Sequence, residues 1–574
     1  MGINMEKFYK ARNMAVDKLL EHQNPDGSFS GNVDFNAWAD AAYLILLHEL
    51  GVEEDVEDLK KDLLCRMKED GSWGALSDGS QSEPDYKSTV IAYTALDRYG
   101  ENMEKTERWL KSYSGSIWLD PYTEMMIREK GEKFFFPPAV LAYIPSWIGK
   151  ALGYLHMKFP KVFFWSYFLF PSAWTRNAFP QLQIVGTRKN GRRIGIMTKK
   201  ALDILEKRIL DTQLRNGSWF DTILPTIGAL YALHLSGYGN DEECMQAGLQ
   251  FLRMQKQEKG RLNRFDLTIW NTSLAISSLL EVKDGEPEIR EAVQKGIYFL
   301  TQNQGVSGGW AFTHSNRELP DHDDTALALI ALKKAEVRGY KVAKRTIQKG
   351  YAFLLSRQNV DGGWGAFDKN QSVKQPGLLP PYHVEYGHEL KDPSTADVTG
   401  HALLALSFRN DRMAGEAIDR ARNWLKKDQA GNCWYGRWGL CYYYGTSRAL
   451  LGLAAAGEKQ TESYVKRSVS WMENTQNDDG GWGENYRSYY SRTPVPDKST
   501  LEHTAWCVLS LMKYKDADRE AIDRGIAYLA DKIMAGTEAS YAAAAIEPAC
   551  YEIYASVFPL QALAEYEKYI SGQK

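Results

Sequence analysis

The sequence predicts an all-α fold of two α/α-barrel (toroid) domains, each made of repeated helix pairs. Three observations predict it: a degenerate Gln…Gly-x-Trp repeat, a second apolar helix between successive copies, and no run of alternating strands to compete. The first strong copies are Lys295-Gly296-x-x-Phe299-Leu300-x-x-x-Gln304 before Gly308-x-Trp310, and Lys349-Gly350-x-x-Phe353-Leu354-x-x-x-Gln358 before Gly362-x-Trp364. Two more follow: Arg420-Ala421-x-x-Trp424-Leu425-x-x-x-Gln429 leading to Gly436-x-Trp438, and Arg467-Ser468-x-x-Trp471-Met472-x-x-x-Gln476 leading to Gly480-x-Trp482. Weaker copies end at Phe29, Trp73 and Trp219, and one near Tyr528 has lost both its Gln and its Trp.

Each copy has the same local logic. An amphipathic helix runs into Gln, a polar turn with Asp or Asn and Gly stops it, and Trp opens the next segment. Between copies lie helices such as Thr325–Lys334, His401–Ser407 and Thr504–Lys513, apolar at helical spacing. Helix pairs repeated at about fifty residues bury their apolar faces against their neighbours and close into a toroid. The copies fall into a strong C-terminal set and a degenerate N-terminal one. The expected domains are therefore 15–250, and 251–574 joined by the N-terminal helix 1–14.

Composition agrees with this reading and narrows the partners. A chain of 574 residues exceeds one ordinary core, and 44% hydrophobic with 25% charged residues is a globular balance. A formal net charge of -3 gives no general pull toward nucleic acid. Cysteines at 65, 244, 433, 441, 507 and 550 form no CxxC pair, which argues against a zinc ribbon or a dense disulfide framework. No metal site and no cofactor are expected. The N-terminus reads as a charged amphipathic helix without an apolar signal core.

The most apolar region spans 134–179, and neither of its uncharged stretches, Phe134–Gly149 and Val162–Thr175, has the roughly 18–20 residues of a spanning helix. Its many rings and the basic run Arg188, Lys189, Arg192, Arg193, Lys199 and Lys200 suit a segment that dips into one leaflet beside anionic headgroups. The expectation is monotopic contact with the cytoplasmic face of the cell membrane. A buried inter-domain segment with a solvated basic loop is the alternative.

Chemistry concentrates in Leu319-Pro320-Asp321-His322-Asp323-Asp324-Thr325-Ala326, which opens an apolar helix. An Asp before a helix is usually a cap. Three carboxyls within four residues are different: ionised together they repel, so at least one retains its proton at neutral pH. The helix end and any nearby cation would stabilise the base left behind. A held but strongly acidic proton is what protonation of an alkene demands.

The Gln…Gly-x-Trp repeats together with Asp321-His322-Asp323-Asp324-Thr325-Ala326 resemble the squalene–hopene cyclases and related bacterial class II terpene cyclases, most closely from about Leu267 to Leu529. The resemblance implies a protonation-initiated cyclase that folds a linear polyprene and closes rings. It implies that Asp323 is the general acid, with Asp321 and Asp324 as partners. In Asp392-Pro393-Ser394-Thr395-Ala396-Asp397-Val398-Thr399-Gly400-His401, His401 matches the residue that hydrogen-bonds the acid, and Asp397 a polar neighbour one turn earlier. In Gly436-Arg437-Trp438-Gly439-Leu440-Cys441-Tyr442-Tyr443-Tyr444, Trp438 matches a pocket wall and Tyr444 a residue near the acid and its water chain. Phe312, Trp270, Trp174 and Tyr386 match substrate-facing aromatics, as do Tyr551 and Tyr554, because ring faces stabilise a migrating cation without quenching it. Glu547 departs from the pattern, standing about where the family carries a Phe that faces late cations.

Squalene is the substrate the resemblance implies first, then a C35 tetraprenyl-β-curcumene, then a shorter terpenol or prenyl diphosphate; it leaves room for a homodimer. Outside the class, a glycosidase on an α/α barrel would need polar subsites, and a zinc prenyltransferase would need an Asp/Cys/His triad that the sequence lacks.

Overall fold

A computed structural model of the chain describes residues 4–76, 82–114, 119, 121–132, 139, 173–190, 194–257, 261–263, 267–283, 286–370, 392–544 and 548–572. Two compact units are present. One is formed by Met1–Asn32, Asp266–Gln371 and Asp392–Lys574, the other by Val33–Phe265 with Ser372–Lys391.

In the first unit, the helices Thr268–Leu279, His322–Val337, Ala396–Leu406, Cys441–Ala455, Leu501–Leu511 and Tyr554–Ile570 are buried along most of their length. Each packs on the next, and the last returns to the first, closing an inner ring. Such all-round burial explains why their sequences are apolar on every face rather than striped. The helices Met5–Glu21, Pro287–Gln302, Lys344–Ser356, Arg412–Asp428, Ser463–Asn474 and Arg519–Met534 bury one stripe and form the outer layer. Strand content is slight: Trp482–Glu484 pairs antiparallel with Pro496–Thr500, and Ala543–Ala544 with Pro548–Tyr551.

The repeat is a hydrogen-bonded clamp between turns and helices. Gln304 Nε2 donates to Gly308 O at 2.7 Å and to Thr346 O, in the following outer helix, at 2.9 Å. Gln358 and Gln476 make the same pair of bonds, to Gly362 O and Ala417 O, and to Gly480 O and Ala521 O. Trp310 Nε1 returns to Leu300 O at 2.7 Å, while its backbone N–H donates to Thr325 Oγ1 at 2.9 Å. Trp364–Thr399 and Trp482–Thr504 repeat the backbone-to-hydroxyl contact. The Thr that follows the acidic triplet is thus a register residue common to the inner helices. Gly308 has φ +95°, and a Cβ there would sit 2.7 Å from Lys349 O, so the turn requires glycine.

The copy at 420–438 differs from the sequence expectation. Trp434, not Trp438, fills the repeat position: its Nε1 donates to Leu425 O at 2.8 Å and its N–H to Thr446 Oγ1 at 2.9 Å. Trp434 follows Gln429 by five residues, where Trp310, Trp364 and Trp482 follow their Gln by six, so this copy is one residue short. The Gly-x-Trp spacing at Gly436–Trp438 is coincidental, and Trp438 is released for another role.

The second unit closes on itself too. Trp38–Leu50, Tyr86–Arg98, Pro121–Ile127, Ala173–Lys189 and Ile223–Ser236 pack in a ring, flanked by Val56–Cys65, Glu104–Ser112, Ile196–Asp211 and Glu243–Met254. Its boundaries differ from the expected 15–250. Lys256 pairs with Asp55 at 2.7 Å and Asp58 at 2.6 Å, and Leu262 N donates to Asp40 Oδ1 at 2.9 Å, which carries the unit to Phe265. Residues 15–32 belong instead with the first unit, where Gln23 Nε2 donates to Ala292 O at 2.8 Å and Phe29 N to Thr272 Oγ1 at 2.8 Å.

Most of the apolar region 134–179 lies outside the described residues. Among those described, no helix is long and apolar enough to cross a membrane. The basic run is not uniformly solvated: Lys189 is buried, 4.8 Å from the Tyr231 ring centroid, and donates to Met125 O and Arg128 O. Burial pushes its ammonium down to about 8. Arg192 and Arg193 lie outside the described residues, while Lys199 and Lys200 are exposed.

Candidate active site

The acidic triplet sits where the inner helix His322–Val337 begins. Asp321 is its N-cap, with Oδ1 accepting from Asp324 N at 2.7 Å, and its own N–H donates to Trp310 O at 2.9 Å. The repeat turn therefore fixes the start of the acid helix. Asp323 is turned toward the adjacent inner helix. It is 3% exposed, and its Oδ1 lies 2.7 Å from Nδ1 of His401 on the adjacent helix Ala396–Leu406. The remaining atoms of the pair, Asp323 Oδ2 and His401 Nε2, are buried without a protein partner.

Burial governs the two flanking acids. Burial, and then the neighbouring carboxyls, hold Asp324 well above the usual carboxylate range. Asp321 is held up by burial as well, against the opposing pull of the bonds from Asp324. Both sit well above the usual carboxylate range, so the pair retains at least one proton at neutral pH. Burial also brings His322 down to about 4, so this neutral imidazole donates from Nδ1 to Gly365 O at 2.7 Å. His322 is a backbone anchor.

Asp397, on the face of His401, orders the neighbouring loop. Its Oδ2 accepts from Arg437 N at 2.8 Å and from Trp438 N at 2.9 Å. Arg437 Nη1 in turn meets Asp392 Oδ1 at 2.7 Å, and Asp392 also accepts from the backbone N–H groups of Ala366, Phe367 and Asp368. Asp392 is thus the hub that holds two aromatic-bearing loops together. Phe367 contacts both Trp438, with centroids 5.8 Å apart, and Phe312, at 6.4 Å.

A second set of rings flanks His401. Trp270 lies 6.2 Å and Tyr444 6.3 Å from it, centroid to centroid. Trp270 Nε1 donates to Tyr554 Oη at 3.1 Å, Tyr554 packs edge-on against Tyr551 at 4.8 Å, and Trp506 packs on Tyr444 at 4.7 Å. The Tyr444 helix is oriented by Glu484, whose carboxylate accepts from the N–H groups of Cys441, Tyr442 and Tyr443. Burial raises Glu484 to about 7.

The first unit therefore brings together Asp321, Asp323, Asp324, His401, Asp397, Trp438, Phe312, Trp270, Tyr444, Tyr551 and Tyr554. Trp174 is in the helix Ala173–Lys189 of the other unit, and Tyr386 and Glu547 lie outside the described residues. Sequence reasoning passed over Phe367, Trp506, Asp392 and Arg437 as members of the site. Phe367 had a signal: Trp364-Gly365-Ala366-Phe367 follows its repeat as Trp310-Ala311-Phe312 follows the one before. Trp506 had none, being one apolar residue in a wholly buried helix. Among the described residues no group of His, Cys, Asp or Glu is arranged to hold a metal ion. Chemically, the arrangement can hold one acidic proton beside an imidazole, limit the charge on its carboxyl neighbours, and offer ring faces to a cation.

Comparison with known proteins agrees with this architecture. The squalene-hopene cyclase C-terminal domain family matches residues 266–568, and the corresponding N-terminal domain family matches 13–117. A squalene–hopene cyclase of Alicyclobacillus acidocaldarius is 27% identical over 98% of this chain and 98% of its own length. Sporulenol synthase of Bacillus subtilis is 27% identical over 92% of each. Enfumafungin synthase of Hormonema carpetanum is 26% identical over 92% of this chain, which spans only 46% of that larger protein. The solved structure of an ent-copalyl diphosphate synthase from Streptomyces platensis covers 99% of this chain and is itself fully covered, with a TM-score of 0.57 at 16% identity, a likeness of fold. On the domain matches, which take in both the acid helix and its repeats, the chain belongs to the squalene–hopene cyclase family.

Proposed function

We propose that the protein is a class II terpene cyclase that protonates a terminal alkene of a linear polyprene, squalene first among the candidates, and yields a polycyclic, hopene-like terpenoid. The observation that carries the proposal is the buried Asp323–His401 pair, 2.7 Å apart, set among aromatic rings and beside a carboxyl that keeps its proton. Asp323 is the proton donor. Its O–H bond breaks as the alkene π electrons form a C–H bond, leaving a carboxylate on the enzyme and a tertiary cation on the chain. His401 orients the donor and balances the carboxylate; Asp321 and Asp324 limit further charge at the helix start. Trp270, Phe312, Phe367, Trp438 and Tyr444 supply ring faces, each contributing about 1–2 kcal/mol to a desolvated cation.

The test is to incubate the detergent-solubilised protein separately with squalene, tetraprenyl-β-curcumene, and a C20 terpenol and its diphosphate, and to identify products by mass spectrometry. A cyclised product from one of them, lost by at least a thousandfold in Asp323→Asn with little change in the thermal melt, is expected. Full turnover by that variant would contradict the donor role.

Membrane contact belongs to the same proposal. The apolar composition of 134–179 supports it, as do Ile196 and Met197, which are 78% and 63% exposed beside the exposed Lys199 and Lys200. Co-sedimentation with anionic vesicles, lost in Ile196→Glu/Met197→Glu, checks it. The same protein on a light-scattering column reports whether it is a homodimer, and cell fractionation reports the membrane face.

A further inference from the structure

Among the described residues, one buried charge near the acid has no conventional counter-ion. Arg448, one turn beyond Tyr444 on the helix Cys441–Ala455, is 6% exposed. Its guanidinium lies 5.3 Å from the Tyr444 ring centroid and 5.6 Å from that of Phe558. Nη2 donates to Ser447 Oγ at 2.9 Å, and Nε is buried without a partner. Ser447 is itself fixed by bonds with Trp506 O and Ser510 Oγ, so the arginine is held from behind by neutral groups. Among the described residues no carboxylate forms an ion pair with it.

A buried guanidinium without a carboxylate costs several kcal/mol unless some other field repays it. Elsewhere the chain pairs its buried arginines conventionally, as Arg437 with Asp392 and Arg66 with Asp40. Around Arg448 the nearest electron-rich groups are the Tyr444 and Phe558 ring faces, and the carboxylates that act on it are Glu565 first and then Asp323. Glu565 is already paired with Lys513.

We propose that Arg448 is a positioning residue for proton donation, a fixed cation behind Tyr444 that stabilises the Asp323 carboxylate left when the proton departs. The inference rests on Asp323 being the donor. It is distinct from the role of His401, which touches Asp323 directly. Because positive charge leaves the acid in this step, a fixed cation assists only when the alkene lies farther from Arg448 than Asp323 does. Arg448 therefore also gives the reaction a direction, driving the nascent cation away from the Tyr444 side.

The groups facing Asp323 set the background against which this cation acts. They are Asp321, His322 and Asp324 at the start of its own helix, His401 and Asp397 on the next, and Tyr444 and Tyr554 on the helices beyond. Burial keeps both tyrosines neutral, and Asp397 spends its charge on backbone N–H groups. Arg448 is then the fixed full positive charge behind Tyr444.

The experiment uses the full chain with Arg448→Met, which keeps the length and removes the charge, and Arg448→Lys, which restores a charge. With carbonyl-labelled aspartate, the infrared band of a protonated carboxyl that vanishes in Asp323→Asn is followed against pH, a readout that needs no substrate. The band should persist to a pH about one unit higher in Arg448→Met, and return toward wild type in Arg448→Lys. With squalene as the probe substrate, kcat should fall about tenfold in Arg448→Met with KM little changed, and largely recover in Arg448→Lys. A band that disappears at the same pH in all three proteins overturns the inference. So does a lysine variant no better than methionine. A wild-type spectrum with no Asp323-dependent band removes the donor reading itself, and the inference with it.

Discussion

At Asp324, burial and ionisation oppose each other strongly enough to be measured. Its folded-state proton affinity is raised by burial and by two neighbouring carboxyls, whereas in the unfolded chain it titrates near pH 4. Above that pH the folded chain keeps a proton that the unfolded chain has released, so this group's contribution falls as pH rises, by up to about 1.4 kcal/mol per unit, until the folded form also ionises. An Asn keeps the shape of the side chain and the backbone N–H that caps onto Asp321, and it never ionises. Asp324→Asn should therefore melt above wild type at pH 8, with the gap closing toward pH 4; a pH-independent gap would show that Asp324 ionises in the folded state as it does in water. The acidic triplet was legible because its chemistry is local to one motif, whereas the pairing of His401 with Asp323 was implied by the family resemblance alone. Asp392, Phe367 and Arg448 were not legible, because their roles depend on what the fold places opposite them. Asp392 reads as a polar loop residue until Arg437 and the 366–368 backbone meet its carboxylate.

Among elements, the repeat turns decide which aromatic side chains are structural and which are free. The helix-pair period, the stop signals and the inner helices were all readable from the sequence, since each follows from backbone propensity and apolar spacing. The identity of the clamp tryptophan in the shortened copy was not, because a one-residue deletion is invisible until the carbonyl of Leu425 finds its donor. That assignment separates two neighbouring tryptophans by experiment. Trp434→Phe removes the Nε1 bond to Leu425 O and leaves a void in the core, so a loss of about 2–3 kcal/mol is expected in a denaturant or thermal melt. Trp438 Nε1 has no protein partner, and its ring meets Phe367 and the Arg437 guanidinium. Trp438→Phe should leave the melt within about 0.5 kcal/mol of wild type and change KM or the product ratio with squalene. The opposite pattern, an unstable Trp438 variant and a stable Trp434 variant, would return the repeat to the register that the Gly-x-Trp spacing suggests.

For the first unit as a whole, the consequential fact is that it draws one outer helix from the start of the sequence and the last inner helix from its end. The N-terminal helix Met5–Glu21 packs on Arg519–Met534 and Tyr554–Ile570, and Arg12 meets Glu567 at 2.6 Å. Gln23 and Phe29 then clamp this end onto Ala292 and Thr272, with the same pair of glutamine bonds that Gln304, Gln358 and Gln476 make. The sequence reading places helix 1–14 with this unit and leaves 15–32 with the degenerate N-terminal copies. A ring differs from an open stack of repeats in that removing one outer helix exposes apolar faces on both neighbours. The faces lost here include Phe8, Ala11, Ala15 and Leu19, all fully or almost fully buried. A chain lacking residues 1–32 should therefore bind a hydrophobic dye, lose its cooperative melt and lose cyclase turnover, although Asp323, His401 and Tyr444 are untouched. Adding residues 1–32 as a separate peptide should restore the melt and a measurable part of the turnover, because the clamp bonds need proximity and not covalent continuity. A truncated chain that melts cooperatively and turns over at the full rate would mean that the inner ring stands without this outer helix.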